Sequence, residues 1–446
     1  MKHFAFNFFF LTFSLLNLAC VSGQISLTDA DMAIVRKDYG GALRICNTIK
    51  RVSGLTPELN LRFGIIQVGM SNYTSALSYL NRAEEGGVGS VSSGLLIAEC
   101  LEAVGDIKAS AAKYEEMIAA DRSNLFVVNS FAKMLINNRM YSDAIKWCQM
   151  LVDSVPDNAT FRKNLGGCFT QVGMDENALP HLRESWKLNG KDMNVLLSLT
   201  NLWIRLKIPQ AGIPVTTEAI LSNSSNPVPY KCHGNLLFAG QEFEAAADAY
   251  LNAYNLGDTS ITVARQLGFS YYASMQFRDA IPYLMIYYRS DTSNYEASFY
   301  LGMSMSAWRM KEEGIEMLNK TIVLMTSDSV RIGSIHASIA QAYSDQNNYS
   351  EAIGSYKSAL RYAPDSPDHL LGLARMYDSN RQLREALDCY ETYDAHQDEM
   401  IRRMAESGNI SADSFVLSPQ HKSVKERIRK IKEELFFMGE IKKINS

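Results

Sequence analysis

Small residues recur along this chain at one fixed spacing. From Ala42 to Gly314 they follow one another every 34 residues; one step of 38 then reaches Ala352, and a further 34 reaches Ala386. We call these eleven positions the origins: Ala42, Ala76, Ser110, Ala144, Ala178, Gly212, Ala246, Ala280, Gly314, Ala352 and Ala386. Such self-similarity at a fixed period is the signature of a repeat protein.

Other positions repeat in the same register. Small residues lie twelve positions before the origin, as at Gly64 and Ala98, and large residues lie four after it, as at Leu80 and Tyr250. Within each unit the apolar residues fall at helical intervals in two stretches, separated by Gly, Asn or Asp. Each unit is therefore predicted to be two amphipathic helices joined by a short turn, which must stack on its neighbours to bury its apolar face.

A 34-residue helix-turn-helix with this pattern of small and aromatic residues resembles the tetratricopeptide repeat (TPR) family. The resemblance extends over about residues 25–393, in eleven units. It implies an all-α fold, a right-handed TPR superhelix closed by a C-terminal helix, with the array occupying residues 24–393. The sixth unit departs from the pattern at Pro209 and Pro214, and the ninth is followed by the four extra residues.

The register ends after Tyr393. Residues 394–419 are polar and are predicted to be a linker. Residues 420–446 are predicted to contain an amphipathic helix that caps the array, because its apolar residues recur at helical spacing, namely Val424, Ile428, Ile431 and Leu435. The alternative is a basic amphipathic helix that touches a membrane or partner, although Glu426, Glu433 and Glu434 argue against membrane binding.

The N-terminus has the pattern of a signal peptide over residues 1–23. Lys2 precedes an apolar run that ends near Ala19, and small residues follow before Gln24. We expect an exported protein of Gram-negative type, in the periplasm or associated with the outer membrane. The alternative is a lipoprotein anchored through Cys20, but such signals normally carry Leu where this chain has Asn17.

The composition excludes several classes of protein. Apolar residues make up 47% and charged residues 21%, which is ordinary for a folded domain, and the net charge of −4 is too mild to indicate a nucleic-acid binder. No cysteine pair has the spacing of a zinc site. Cys148 and Cys168, on adjacent predicted helices, are candidates for a disulfide in an oxidising compartment, but the sequence does not supply their geometry.

No sequence motif of a nucleotide, zinc-protease or hydrolase site is present, so we expect no catalysis, no cofactor and no metal. The family resemblance instead implies a concave groove lined by the first helix of each unit. The residues at its groove positions are Asn129, Lys133, Asn137, Lys163, Asn201, Arg205, Lys231, Asn235, Arg265, Phe269 and Tyr272. They are predicted to bind a protein or peptide partner, unless they are only solvated helix surface.

Two features of this groove suggest what it binds. Its cations, Lys133, Lys163, Arg205, Lys231 and Arg265, are expected to form a basic stripe that attracts an acidic or extended peptide, unless acids such as Glu99, Glu102 and Glu296 neutralise it. Lys231 and Asn235 match part of the clamp by which some TPR domains hold a carboxylate, whereas the other clamp positions carry Gln266, Glu296 and Tyr300. The alternative function is binding of envelope carbohydrate or polymer through Phe238, Phe269, Tyr272 and Phe299.

Overall fold

The structure is a computed structural model that describes residues 26–325, 328–406 and 418–439. These residues form 23 α-helices and one short 3-10 helix. The chain divides into two compact units, Met1–Leu202 and Trp203–Ser446, and the division falls inside one helix, α11. The prediction of an all-α repeat solenoid is confirmed.

The first unit holds the helices of five repeats and most of α11. Its helices are α1 Leu27–Val35, α2 Tyr39–Ser53, α3 Pro57–Gly69, α4 Tyr73–Glu85, α5 Val91–Ala103, α6 Ile107–Ala120, α7 Leu125–Asn137, α8 Tyr141–Ser154, α9 Ala159–Gln171, α10 Asp175–Leu188 and α11 Met193–Arg205. Odd-numbered helices are the first of each repeat and even-numbered helices the second.

The second unit continues the alternation. After the 3-10 helix Pro209–Gly212 come α12 Ile213–Ser222, α13 Pro227–Ala239, α14 Phe243–Asn255, α15 Ile261–Ala273, α16 Phe277–Ser290, α17 Tyr295–Ala307, α18 Lys311–Leu324, α19 Ser329–Ser344, α20 Tyr349–Tyr362, α21 Pro367–Ser379, α22 Leu383–Glu406 and α23 Pro419–Phe437. No helix in the described ranges is both long enough and apolar enough to cross a bilayer.

All eleven origins are buried, as the repeat predicts. The reason is close packing of the two helices in a repeat. A Cβ atom added to Gly64 would lie 2.5 Å from Cδ2 of Leu80, and one added to Gly268 would lie 2.8 Å from Cγ of Leu284. The small residue twelve before the origin thus makes room for the large one four after it.

The turn between the two helices also repeats. The residue five before the origin has a positive φ in ten of the eleven repeats, at Gly105, Gly173 and eight residues other than glycine. The next residue donates its N–H to the carbonyl five positions earlier, as Gln276 does to Tyr271 at 2.8 Å. This is a Schellman turn, which satisfies carbonyl groups at the end of the first helix.

The two irregular repeats are those that the sequence singled out. In the sixth, Pro209–Gly212 form the 3-10 helix, and α12 starts at Ile213 with Pro214 in its first turn. In the ninth, Trp308 ends the first helix in an extended conformation, with φ −93° and ψ −160°. The extra residues that follow are taken up partly by α19, which has 16 residues where most first helices have 13.

The C-terminal helix α23 packs against α22, the last helix of the eleventh repeat. Val424, Ile428, Ile431 and Leu435 are all buried, and they belong to the same apolar cluster as Tyr390 of α22. A polar contact also joins α23 to α21, the helix before α22. Arg427 donates to both carboxylate oxygens of Asp378, at 2.6 and 2.7 Å.

A second polar cluster joins α22 and α23. His421 is almost wholly buried and hydrogen-bonds Asp394, and Asp398 lies 3.8 Å from the same ring nitrogen. Lys425 lies 3.4 Å from Asp394 and 3.2 Å from Asp398. The cluster contains side chains of metal-binding type, but its carboxylates already have this ammonium as their counter-charge.

The segment predicted to be a linker differs from the expectation in its first half. Residues 394–406 continue α22 as helix. The reason is local: this stretch has neither Gly nor Pro, and Gly408 is the first helix breaker after Tyr393. Residues 407–417 lie outside the described residues, as do the predicted signal peptide and Cys20.

Candidate partner-binding surface

A small pocket lies between α13, α14 and α15 in the second unit. Its volume is about 180 Å³. It is lined by Lys231, Asn235, Tyr250, Ser260, Thr262, Val263 and Gln266. Lys231 and Asn235, which match part of a carboxylate clamp in the sequence, and Gln266, at another clamp position, therefore do come together in space.

Tyr250 forms the buried wall of this pocket and orients the amides around it. Its side chain is fully buried, and its hydroxyl donates a hydrogen bond of 2.7 Å to Oδ1 of Asn235. Gln266 also hydrogen-bonds Tyr250. Burial raises the pKa of Tyr250, so the hydroxyl keeps the proton that it donates. Because the side-chain oxygen of Asn235 already accepts this hydrogen bond, the amide nitrogen of Asn235 is the group that remains to donate a hydrogen bond to a ligand.

Lys231 lies at the edge of the pocket in an ion pair with Asp258. Its Nζ is 2.7 Å from a carboxylate oxygen of Asp258, which precedes α15. Burial would raise the pKa of Asp258, but the hydrogen bonds from Lys231 and Ser260 hold it below its ordinary value. Asp258 therefore stays ionised at neutral pH and neutralises much of the Lys231 charge.

Arg265 lies on α15, in the neighbouring repeat, and contacts aromatic rings. Its guanidinium lies over the rings of Phe269, at 5.5 Å, and Tyr287, at 5.9 Å. Tyr287 donates a hydrogen bond of 3.0 Å to Glu296 and accepts one from Asn294. The side-chain contact of Glu296 is thus with Tyr287 of α16.

Aromatic residues of α15 and α17 form a cluster around Tyr300. The centre of its ring lies 4.5 Å from that of Phe269, 5.0 Å from Tyr272 and 5.2 Å from Phe299. All four side chains are half-buried. Phe238 is not part of this group, since it packs edge-on against Phe243 at 5.3 Å.

In the first unit the predicted residues are more scattered. On α7, Lys133 and Asn137 are exposed, whereas Asn129 is half-buried. On α9, Lys163 forms an ion pair of 2.8 Å with Asp192. Asn201 and Arg205 are exposed on α11.

The structure corrects the expected charge balance of the basic stripe. Lys163 is paired with Asp192, and Lys231 is paired with Asp258. The acids that do this are not the expected ones, because Glu296 hydrogen-bonds Tyr287 and Glu102 accepts from Asn138 at 3.0 Å. The stripe as one continuous surface through both units stays a prediction.

Sequence reasoning missed three contributors to this surface, Asp192, Asp258 and the hydroxyl of Tyr250. Each Asp lies in the loop just before the first helix of the next repeat, and each accepts from a Lys of the preceding first helix. The signal that could have revealed the pairs is a Lys fifteen before the origin combined with an Asp twelve or fourteen after it.

A tetratricopeptide repeat family model matches residues 338–399. No curated protein matches significantly. Among solved structures, YrrB, described as a TPR protein with an unusual peptide-binding site, is 16% identical, with a TM-score of 0.34, over 50% of this chain and 95% of its own.

Two further solved structures come from bacterial repeat proteins. The C-terminal part of a TPR repeat-containing protein from Cytophaga hutchinsonii is 14% identical, with a TM-score of 0.43, over 55% of this chain and 98% of its own. A tetratricopeptide repeat protein from Parabacteroides merdae is 11% identical, with a TM-score of 0.40, over 56% of this chain and 98% of its own.

Proposed function

This chain is a tetratricopeptide repeat protein, and we propose that it is a non-enzymatic scaffold that binds an extended segment of a partner protein along the first helices of its repeats. TPR proteins generally bind proteins or peptides and are generally not enzymes. The observation that carries the finer proposal is the pocket of Lys231, Asn235 and Gln266, because two predicted groove residues line one cavity together with the residue at a further clamp position.

The chemistry of this pocket suits a peptide. With the Asn235 oxygen held by Tyr250, the amide nitrogen has hydrogens to give to a carbonyl or carboxylate oxygen. Lys231 gives one hydrogen to Asp258 and has two further ones. An extended peptide offers such an oxygen at every residue, so the pocket holds one point of a segment that continues over neighbouring helices.

We propose that the segment is acidic, with Asp258 competing for Lys231. An incoming carboxylate has to share the ammonium with Asp258, which weakens its attraction. The exposed Lys133 supplies further positive charge on α7. An acidic preference should therefore be modest and should weaken as salt rises.

A displayed library of random twelve-residue peptides tests both parts of the proposal. Wild-type protein should enrich a set of peptides that a variant with Lys231→Glu and Asn235→Ala does not retain. The matched control is Asp248→Ala, an exposed change on α14, which should retain the whole set. Enrichment of Asp and Glu supports the acidic preference, and enrichment without charge bias refutes it alone. Equal retention by the pocket variant refutes the pocket as the binding surface.

The aromatic cluster supports a second candidate, binding of envelope carbohydrate or polymer. Phe269, Tyr272 and Phe299 gather around Tyr300, and aromatic faces of this kind stack on sugar rings. Salt separates the two candidates, because contacts through Lys and Arg weaken with salt whereas stacking on a neutral sugar does not. Tyr300→Ala should abolish retention on a neutral polysaccharide resin if this candidate is right.

We further propose that the protein is exported to the cell envelope, on the N-terminal apolar run alone. Mass spectrometry of the protein purified from its native cells should find Gln24 as the first residue. A diacylglyceryl group on Cys20 would replace this proposal with the lipoprotein alternative.

A further inference from the structure

Two cysteines of consecutive repeats meet in the interior of the first unit. Cys148 lies on α8, the second helix of the fourth repeat, and Cys168 lies on α9, the first helix of the fifth. Their side chains are 0% and 1% exposed. The helices α8 and α9 pack against each other, and each thiol shifts the pKa of the other.

The register of the repeats explains why they meet. Cys148 lies four positions after its origin, Ala144. In the preceding repeat that position is Tyr114, which stacks on Phe131 of the next first helix with ring centres 5.2 Å apart. The position therefore faces the first helix of the following repeat. The first helix of the fifth repeat, α9, has a residue equivalent to Phe131. Cys168 lies about one helical turn after that residue.

We propose that Cys148 and Cys168 form a disulfide that fastens the fourth repeat to the fifth when the protein folds in oxidising surroundings. Both thiols are buried on helices that pack against each other, so the bond requires side-chain rotation and an approach of these two helices. The link closes a loop of 20 residues, which restricts the unfolded chain and so stabilises the folded one.

The oxidant is a small-molecule or protein disulfide. The thiolate of one of the two cysteines attacks one of the oxidant's sulfurs, forming a mixed disulfide and releasing a thiolate. The thiolate of the other cysteine then attacks the protein sulfur of that mixed disulfide, closes the protein disulfide and releases the second thiolate. The two cysteine protons go to the two released thiolates, so two protein thiols and one disulfide give one protein disulfide and two thiols.

The neighbouring Cys168 thiol and burial both raise the pKa of the Cys148 thiol. Because both sulfurs are buried, the exchange takes place during folding or local opening, and the native packing then retains the product.

The test is to refold the reduced protein in a mixture of reduced and oxidised glutathione. The product should be lighter by two hydrogens, should have two fewer free thiols when denatured, and should yield a cross-linked peptide pair containing Cys148 and Cys168. Its thermal midpoint should fall when reductant is added. Cys46→Ser and Cys100→Ser, at buried cysteines of other repeats, should leave all four results unchanged.

The decisive measurement uses only the wild-type chain, so the result does not depend on how well a cysteine variant folds. If every thiol stays free after refolding in excess oxidised glutathione, or if the cross-link joins other cysteines, the proposal is overturned. Cys168→Ser provides the second readout, because its thermal midpoint should be the same with and without reductant.

Discussion

Gly166 and Gly167 are adjacent in α9 and face different surroundings. A Cβ on Gly166 would lie 2.7 Å from Cγ of Leu182 and 3.3 Å from the Ala178 carbonyl oxygen, whereas one on Gly167 meets nothing within 4 Å. Gly166→Ala should therefore destabilise the protein, with overpacking of about 1–3 kcal/mol outweighing the helix propensity gained. Gly167→Ala should be neutral or stabilising by up to about 1 kcal/mol.

Urea unfolding of both variants beside the wild type measures this difference. Gly167→Ala is the matched control, since it makes the same chemical change one position along the same helix. Equal midpoints for the two variants would mean that the paired helices of the fifth repeat do not pack as closely as the structure has them.

Individual residues differ in how far the sequence could predict them. The buried origins were predictable because close helix packing imposes the same small side chain in every repeat, and Ala144 and Ala246 are both fully buried. Tyr250 was predictable as a core residue, but its hydrogen bond to Asn235 was not. Nor was the pair of Lys231 with Asp258, because it depends on the path of one loop rather than on the period.

At the scale of elements, the turn between the paired helices holds ordinary residues in a strained conformation. Met275 has φ 61° and a side chain that is 77% exposed. A left-handed conformation costs a residue with a Cβ about 1–2 kcal/mol, which glycine avoids at some cost in chain entropy. Met275→Gly should therefore stabilise the protein by about 0.5 kcal/mol, measured as the free energy of unfolding in urea.

Gly173 provides the reverse experiment at the same position of the fifth repeat. It has φ 80°, and a Cβ there would meet no neighbouring atom within 4 Å. Gly173→Ala should thus lose about 1–2 kcal/mol through backbone strain alone. If Met275→Gly were destabilising, or if Gly173→Ala were neutral, the left-handed turn would not be the source of the strain.

The ends of elements were harder to predict than their existence. Eleven helix pairs follow from the period, and α23 follows from the spacing of its apolar residues. The end of α22 could not be predicted from the period, because the repeat register stops at Tyr393 while the helix continues to Glu406. Beyond the register only local propensity acts, and the extra turns place Asp394 and Asp398 beside His421 and Lys425 of α23.

At the scale of the whole molecule, packing is local along the chain. Contacts in the described residues join each helix to the next one or two in sequence. Such a chain behaves as a row of coupled repeats, so that a defect weakens its neighbourhood before it weakens the rest. This predicts that destabilising changes in the two compact units have separable effects.

Hydrogen exchange measured by mass spectrometry tests this separation with two matched substitutions. Leu151 on α8 and Leu284 on α16 are both fully buried, and truncation of either to Ala should cost about 2–5 kcal/mol. Leu151→Ala should speed amide exchange mainly in α7, α8 and α9, whereas Leu284→Ala should speed it mainly in α15, α16 and α17. Each variant serves as the control for the other. If either one accelerated exchange equally in all these helices, the chain would unfold as a single cooperative block, and the repeats could not be treated as locally coupled.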